Sequence, residues 1–245
     1  MYQKSLLNNG VRVVTHEMKQ RESVSIGILI GVGGRYENEQ NKGIAHFLEH
    51  IVFKGSQNYS CEAIKQSIEG VGGALNAFTS EEVTCFYAKI PSNYMDKTFD
   101  VLSDMTFLPK IAKGDVLKER SVIVEEIKMY KDLSQHYVLE LLDALLWPNH
   151  PLGQQIIGSS ETVMAMDAKT LKHFHQSCYA GKNVVVSVCG KVKHADMVKL
   201  VNDKLGRIVA PLEKSSFVPF TDSNHREGRS QFSYRDIEQM HLALG

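Results

Sequence analysis

Residues 43–56 read GIAHFLEHIVFKGS. The stretch reads as a helix, closed by Gly55 as its C-terminal cap. His46 and His50 are four apart, so on a helix they point the same way, with Glu49 beside them. Two neutral imidazoles on one face can grip a divalent cation. A carboxylate next to such an ion can take a proton from bound water, whose pKa zinc lowers from about 16 to roughly 7. The set is incomplete as it stands, because a catalytic zinc takes three protein ligands and keeps one position open. A structural helix that carries two histidines fits the same fourteen letters, so the surrounding chain has to decide.

Upstream, VRVVTHE alternates apolar and polar residues and predicts a strand, as does the more buried run SVSIGILIGVGG. The polar connection MKQRES between them makes the opening hairpin-like. Downstream, SCEAIKQSIEGVGG predicts a helix with Ser60 as N-cap and GVGG as its stop. ALNAFTS and TCFYAKI follow as strands joined by the turn SEEV. Helical spacing returns in NYMDKTFDVLSDMTF, from Asp115 to about Leu133, and in HYVLELLDALLW, ended by Pro148-Asn149. After the loop HPLGQQIIGS, one helix is expected over ETVMAMDAKTLKHFHQSCYA. The β-branched strand KNVVVSVCG and the helix HADMVKLVNDKLGRI come next. Mixed strands and helices of this kind predict an α/β or α+β domain, α+β being preferred, with a partly antiparallel sheet over residues 1–208. Residues 209–230 read as a polar, proline-bearing linker. Within 231–245, QFSYRD and QMHLALG read as two further strands that echo the opening pair and start a second, similar half.

A third ligand is expected from DVLKERSVIVEEIKMYKD. Its apolar residues Val116, Val122, Ile123 and Ile127 mark one side of a helix, and Glu119 and Glu126, seven apart, share another. Glu125 points elsewhere. Spacing alone does not choose among the three, and a solvated acidic face is the usual fate of helix glutamates. Of the remaining histidines, His173 and His175 face different ways, His136 and His150 flank a helix without matching ligands, and His16, His194, His225 and His241 are isolated. Surface or hydrogen-bonded roles are expected for all eight.

Composition narrows the classes. The 245 residues carry no net formal charge, which gives no reason to expect nucleic acid or an anionic membrane as partner. No apolar run reaches spanning length and MYQKSLLNNG lacks a signal core, so a cytoplasmic protein is expected. Cys61, Cys85, Cys178 and Cys189 form no C-x-x-C pair, and reduced, mostly buried thiols are expected.

The segments HFLEH, GGALNAFTSEEVTCFYAKI and ERSVIVEEIKMYKD, in this order and spacing, resemble the pitrilysin/insulinase metallopeptidases. The match is to the branch of mitochondrial processing peptidase and its bacterial relatives, whose zinc helix has the inverted form H-x-x-E-H. The resemblance runs from the first strand to QMHLALG. It implies an α/β roll with a largely antiparallel sheet packed by helices, one half of a two-half peptidase. It further implies one Zn2+ held by His46, His50 and Glu126, with Glu49 activating water and Glu119 supporting the site and assisting proton handling. Leu75, Asn76, Ala77 and Phe78 would pair with an extended peptide substrate as an added strand. The expected partners are that peptide and a second homologous half, or a second copy of the chain. The expected activity is zinc-dependent endopeptidase action on extended or unfolded segments. The alternative is a non-catalytic partner subunit, or a peptide-binding half, of a processing peptidase.

Overall fold

Alternating burial builds the sheet. In β3 (Ser23–Ile30), Val24, Ile26, Ile28 and Ile30 are buried while Ser25 is exposed. The same alternation recurs in β5 (Thr84–Pro91), where Phe86, Ala88 and Ile90 are buried and Tyr87 and Lys89 exposed, and in β6 (Val184–Gly190), with Val184, Val186 and Val188 buried. Period-2 burial means one covered face and one wet face. With β1 (Gln3–Leu6), β2 (Arg12–Glu17) and β4 (Ala74–Thr79), these strands form a six-stranded sheet in the order β1-β2-β6-β3-β5-β4. Every neighbouring pair is antiparallel except β2 with β6. The computed structural model describes residues 1–208, 217, 219–220 and 230–245.

The covered face meets α1 (Ile44–Val52) and α3 (Met95–Phe107), which bury Phe47, Leu48, Ile51, Phe99, Leu102 and Met105 against the strands. Fully burying one such side chain is worth on the order of 1.5–3 kcal/mol, so this layer supplies much of the driving force. The other helices are α2 (Cys61–Ile68), α4 (Lys113–Asp132), α5 (Ser134–Leu146), α6 (Ser160–Ala165), α7 (Ala168–Cys178) and α8 (His194–Leu205). Among the described residues no helix is long and apolar enough to cross a membrane. The α+β expectation holds.

Several local expectations do not. β2 and β3 form no hairpin: β6 lies between them and pairs with both. The polar connection is long enough to step over one strand, and the β-branched β6 is buried best in the centre of the sheet. α1 ends at Val52, with Phe53 at its C-cap, so Gly55 caps nothing. It bridges to Ser60 instead, at φ 128°. Val122 is exposed, and Val116, Ile123 and Ile127 alone mark the buried side of α4. The single helix expected over 161–180 is two, because Asp167 starts α7 by accepting from the amide of Thr170 at 2.8 Å. Ser60 caps α2 as expected, accepting from the amide of Ala63 at 3.2 Å. All four cysteines are free, but only Cys85 and Cys178 are buried.

The expected linker falls almost wholly outside the described residues. Residues 231–245 form no strand, since a strand needs a ladder partner and among the described residues none runs beside them. The segment lies against α5, with the Arg235 guanidinium 4.5 Å above the Tyr137 ring.

Candidate metal centre and peptide cleft

The helix that carries the histidines is anchored at its start by a buried acid. Gly43 precedes α1 at φ 92° and has no side chain to cap it. A Cβ there would lie 2.5 Å from the carbonyl oxygen of Ile157, so glycine is required for space as well as for conformation. Glu37 does the capping: Oε2 accepts from the amide of Gly43 and Oε1 from that of Ala45, both at 2.9 Å. Lys42 sits 3.4 Å from Glu37 Oε2 and donates to the Gly34 carbonyl at 3.0 Å. Burial pushes the Glu37 carboxyl up and the Lys42 ammonium down, and their mutual attraction opposes both shifts.

So anchored, α1 directs both imidazoles at α4. His50 Nε2 lies 3.3 Å from Glu126 Oε2, His46 Nε2 lies 3.9 Å from Glu126 Oε1, and the two rings are 4.6 Å apart. One ligand atom from each of the three residues falls within 4.8 Å of the other two. A tetrahedral zinc with bonds near 2.1 Å separates its donor atoms by about 3.4 Å, so the spacing fits that ion. His46 Nδ1 is buried and, among the described residues, has no hydrogen-bond partner, so the ring lacks the supporting acceptor that a metal-bound imidazole usually has on its other nitrogen. The ring therefore gains little from the protein in return for its burial.

The three glutamates that spacing left equivalent separate by environment. Glu125 is on the surface, paired with Lys128 at 2.7 Å. Glu119 is buried behind His50, where Oε1 is 3.1 Å from His50 Nδ1 and Oε2 is 2.7 Å from Lys54 Nζ. That contact favours a proton on Nδ1 and turns the Nε2 lone pair toward Glu126. Burial tends to raise the Glu119 carboxyl, but the hydrogen bonds from His50 and Lys54 outweigh it and hold the group below its usual value. Burial lowers His46 to about 4, aided by the neighbouring His50. For His50 burial also acts downward, yet Glu119 and Glu126 lift it to about 9. Glu126 is lowered, chiefly by its hydrogen bond with His50.

Glu49 sits beside the cluster and faces a cleft of about 450 Å³. Burial raises its carboxyl, and the Thr79 hydroxyl, which donates to Oε2 at 2.6 Å, pulls it back. One wall of the cleft is the end of β4, Ala77 to Thr79; the other is built from Tyr130, α5 and the loop through Ile157. Among the described residues β4 is an edge strand with β5 on one side only. Asn76 lies exposed on that edge, and its Oδ1 accepts from the amide of Ala77 at 2.8 Å. Leu75 and Ala77 turn inward and Phe78 outward, its ring 6.3 Å from Tyr87. Of the residues expected to bind peptide, Ala77 and Phe78 line the cleft beside the cluster, and Leu75 and Asn76 precede them on the strand.

Thr79, Lys54, Glu37 and Tyr130 were not singled out in the sequence. Thr79 and Tyr130 lie inside quoted motif segments and Lys54 follows one closely, which is the signal that could have found them. The remaining histidines behave as expected where described: His175 Nε2 is 2.7 Å from the Thr106 carbonyl, and His194 lies between Ser5 and Thr15 at 2.8 Å from each hydroxyl.

Comparison with known proteins places the chain in a family. Residues 12–160 match the model of the insulinase family (peptidase family M16), and residues 165–245 match that of the peptidase M16 inactive domain. An uncharacterized zinc protease of Bacillus subtilis, YmxG, is 36% identical over 250 aligned positions, covering 100% of this chain and 59% of that protein. A probable mitochondrial-processing peptidase subunit beta of Arabidopsis thaliana is 33% identical over 195 residues, covering 80% of this chain and 37% of that protein. A protease from Helicobacter pylori superposes with a TM-score of 0.82 at 24% identity, over 89% of this chain and 53% of that structure, which speaks for the fold alone. The chain thus spans a little over half the length of the curated relatives it matches most fully. With well over half of its residues matched by the first family model, the chain belongs to the insulinase (M16) peptidase family.

Proposed function

We propose that this chain is the zinc-binding half of a metalloendopeptidase that hydrolyses extended peptide segments. The observation that carries the reading is the approach of His46 Nε2, His50 Nε2 and the Glu126 carboxylate to one point, beside the Glu49 carboxylate and, among the described residues, an open strand edge. His46, His50 and Glu126 would hold the ion, and a bound zinc supplies Lewis acidity toward water and the scissile carbonyl. Glu49 is the general base: it takes a proton from the attacking water and passes it to the leaving amine. Glu119 keeps the His50 ring oriented, and Lys54 neutralises Glu119 from behind. The edge of β4, at Asn76, Ala77 and Phe78, holds the substrate by backbone pairing, which selects for extended chain over folded protein. Glu81, Glu140 and Asp143 also line the cleft, so a cationic peptide segment is favoured there.

Within this reading, residues 1–208 form the zinc-binding unit and 231–245 begin a second homologous unit that completes the site. The names and lengths of the relatives support the metallopeptidase class and the second half. The test is Glu49→Gln in the full-length protein that carries this chain. The expected result is one zinc retained per chain with peptide hydrolysis lost. Hydrolysis at the wild-type rate removes Glu49 as base. Zinc without hydrolysis in the wild type favours a non-catalytic partner subunit.

A further inference from the structure

We infer that Thr79 is a positioning residue that ties the general base to the strand on which the peptide pairs. Its hydroxyl donates to Glu49 Oε2 at 2.6 Å, and among the described residues no other side chain hydrogen-bonds Glu49. The donor is placed by backbone, because a β-branched side chain has few χ1 choices and its strand fixes them. Thr79 is the last residue of β4, its side chain on the inward-facing row with Leu75 and Ala77. Toward β5 it is locked, since it pairs with Thr84 and the turn is closed by the Ser80 amide on the Val83 carbonyl at 2.8 Å. Toward the outer edge β4 is open. There the Ala77 amide donates to Asn76 Oδ1, a contact that an incoming peptide carbonyl would replace. Peptide pairing therefore orders β4 from the outside, and Thr79 passes that order to the base. The consequence is specific: the length of peptide paired along β4 raises kcat as well as lowering KM, because the Thr79–Glu49 contact, already formed without peptide, is held more firmly when the strand is occupied.

The inference rests on the metallopeptidase reading, and the experiment separates the two. Full-length, zinc-loaded protein is compared with Thr79→Val and Thr79→Ser on nested peptides that share one cleavable bond and grow by single residues. In wild type, kcat rises with length. Thr79→Val is isosteric, and it is expected to lower kcat about 10- to 100-fold on the longest peptide and to flatten the length dependence. Thr79→Ser restores both. Peptide Kd, read by fluorescence anisotropy on zinc-free protein, is expected to be the same in all three, as are zinc content and thermal midpoint. Unchanged kcat in Thr79→Val, or a raised KM alone, overturns the inference and leaves the metallopeptidase reading standing. A fall in kcat that Thr79→Ser does not restore also overturns it. A wild type that holds zinc and cleaves no peptide overturns both.

Discussion

Two groups of acids are built from similar parts and come to different ends. On α3, Asp104 is buried and accepts from the Ser56 hydroxyl at 2.6 Å, the Asn58 amide at 3.0 Å and the Asn58 side chain at 2.8 Å. One turn away, Asp100 accepts from the Tyr59 hydroxyl and the Lys204 ammonium. Both carboxylates are served by donors inside the chain. Around α1 the pairing is different. Glu126 faces two imidazole nitrogens, and the shorter of the two distances is 3.3 Å. His50, lifted to about 9, donates to Glu126, but His46, kept neutral by burial, lies 3.9 Å away and makes no hydrogen bond with it. Such a group gains from a shared cation where Asp104 would gain nothing. A structural acid is recognised by donors that use up its lone pairs, and a candidate ligating acid by lone pairs left over beside neighbouring imidazoles.

The largest expected effect is loss of zinc. Glu126→Gln or His46→Ala should weaken zinc binding by more than the ~100-fold typical of supporting partners, because each removes a ligand itself. Zinc should raise the thermal midpoint of wild type by mass action and leave that of either variant unmoved. If Glu126→Gln binds zinc like wild type, Glu126 belongs with the structural acids and the contrast fails.

The converse change should hurt folding and spare metal. Asp104→Ala leaves the buried Ser56 hydroxyl without its acceptor and removes two bonds from the exposed Asn58, at a cost of about 1–3 kcal/mol. Denaturant unfolding should show that loss, while zinc stoichiometry stays at the wild-type value. Loss of zinc in this variant at temperatures where it is folded would couple the two regions.

Which of these groups the sequence could reveal follows from distance along the chain. His46, Glu49 and His50 are legible because a helix converts spacing into a shared face. The strands β3, β5 and β6 are legible because burial of one sheet face imposes period 2 on the letters. Glu37 was hidden, since α1 begins at a glycine and its cap reaches back from a loop. The β6 insertion between β2 and β3 was hidden too, because a parallel partner some 170 residues later leaves no local mark. On α4 periodicity put Glu119 and Glu126 on one side, and it took tertiary packing to put one behind His50 and the other in front. The choice of Glu126 as ligand came from resemblance to a family, which carries the tertiary information that spacing lacks.

Glu119 lies between the two kinds of acid, with one oxygen on the His50 ring and one on Lys54. Lys54→Met should weaken zinc binding about tenfold, since Glu119 then loses the cation that balances it and holds His50 less firmly. A zinc titration against a competing chelator reads this directly, with an unchanged unfolding midpoint in the absence of zinc. An unchanged zinc affinity would make Lys54 a surface charge only.

The smallest effect belongs to Asp100, and its sign separates it from neutral packing. Burial would raise the Asp100 carboxyl, but the hydrogen bonds from Lys204 and Tyr59 outweigh that and hold it below its usual value. A carboxylate whose folded pKa is depressed adds stability above its unfolded pKa, about 3.9, and loses it as pH falls through the lower folded value. Solvent and salt reach this pair, so the contribution is below about 1 kcal/mol. Asp100→Asn should therefore unfold slightly more easily than wild type at pH 7, with the gap closing below about pH 4. A gap that stays constant down to pH 2 would assign the loss to shape, and one that widens in acid would reverse the assignment of the charged form as the favoured one.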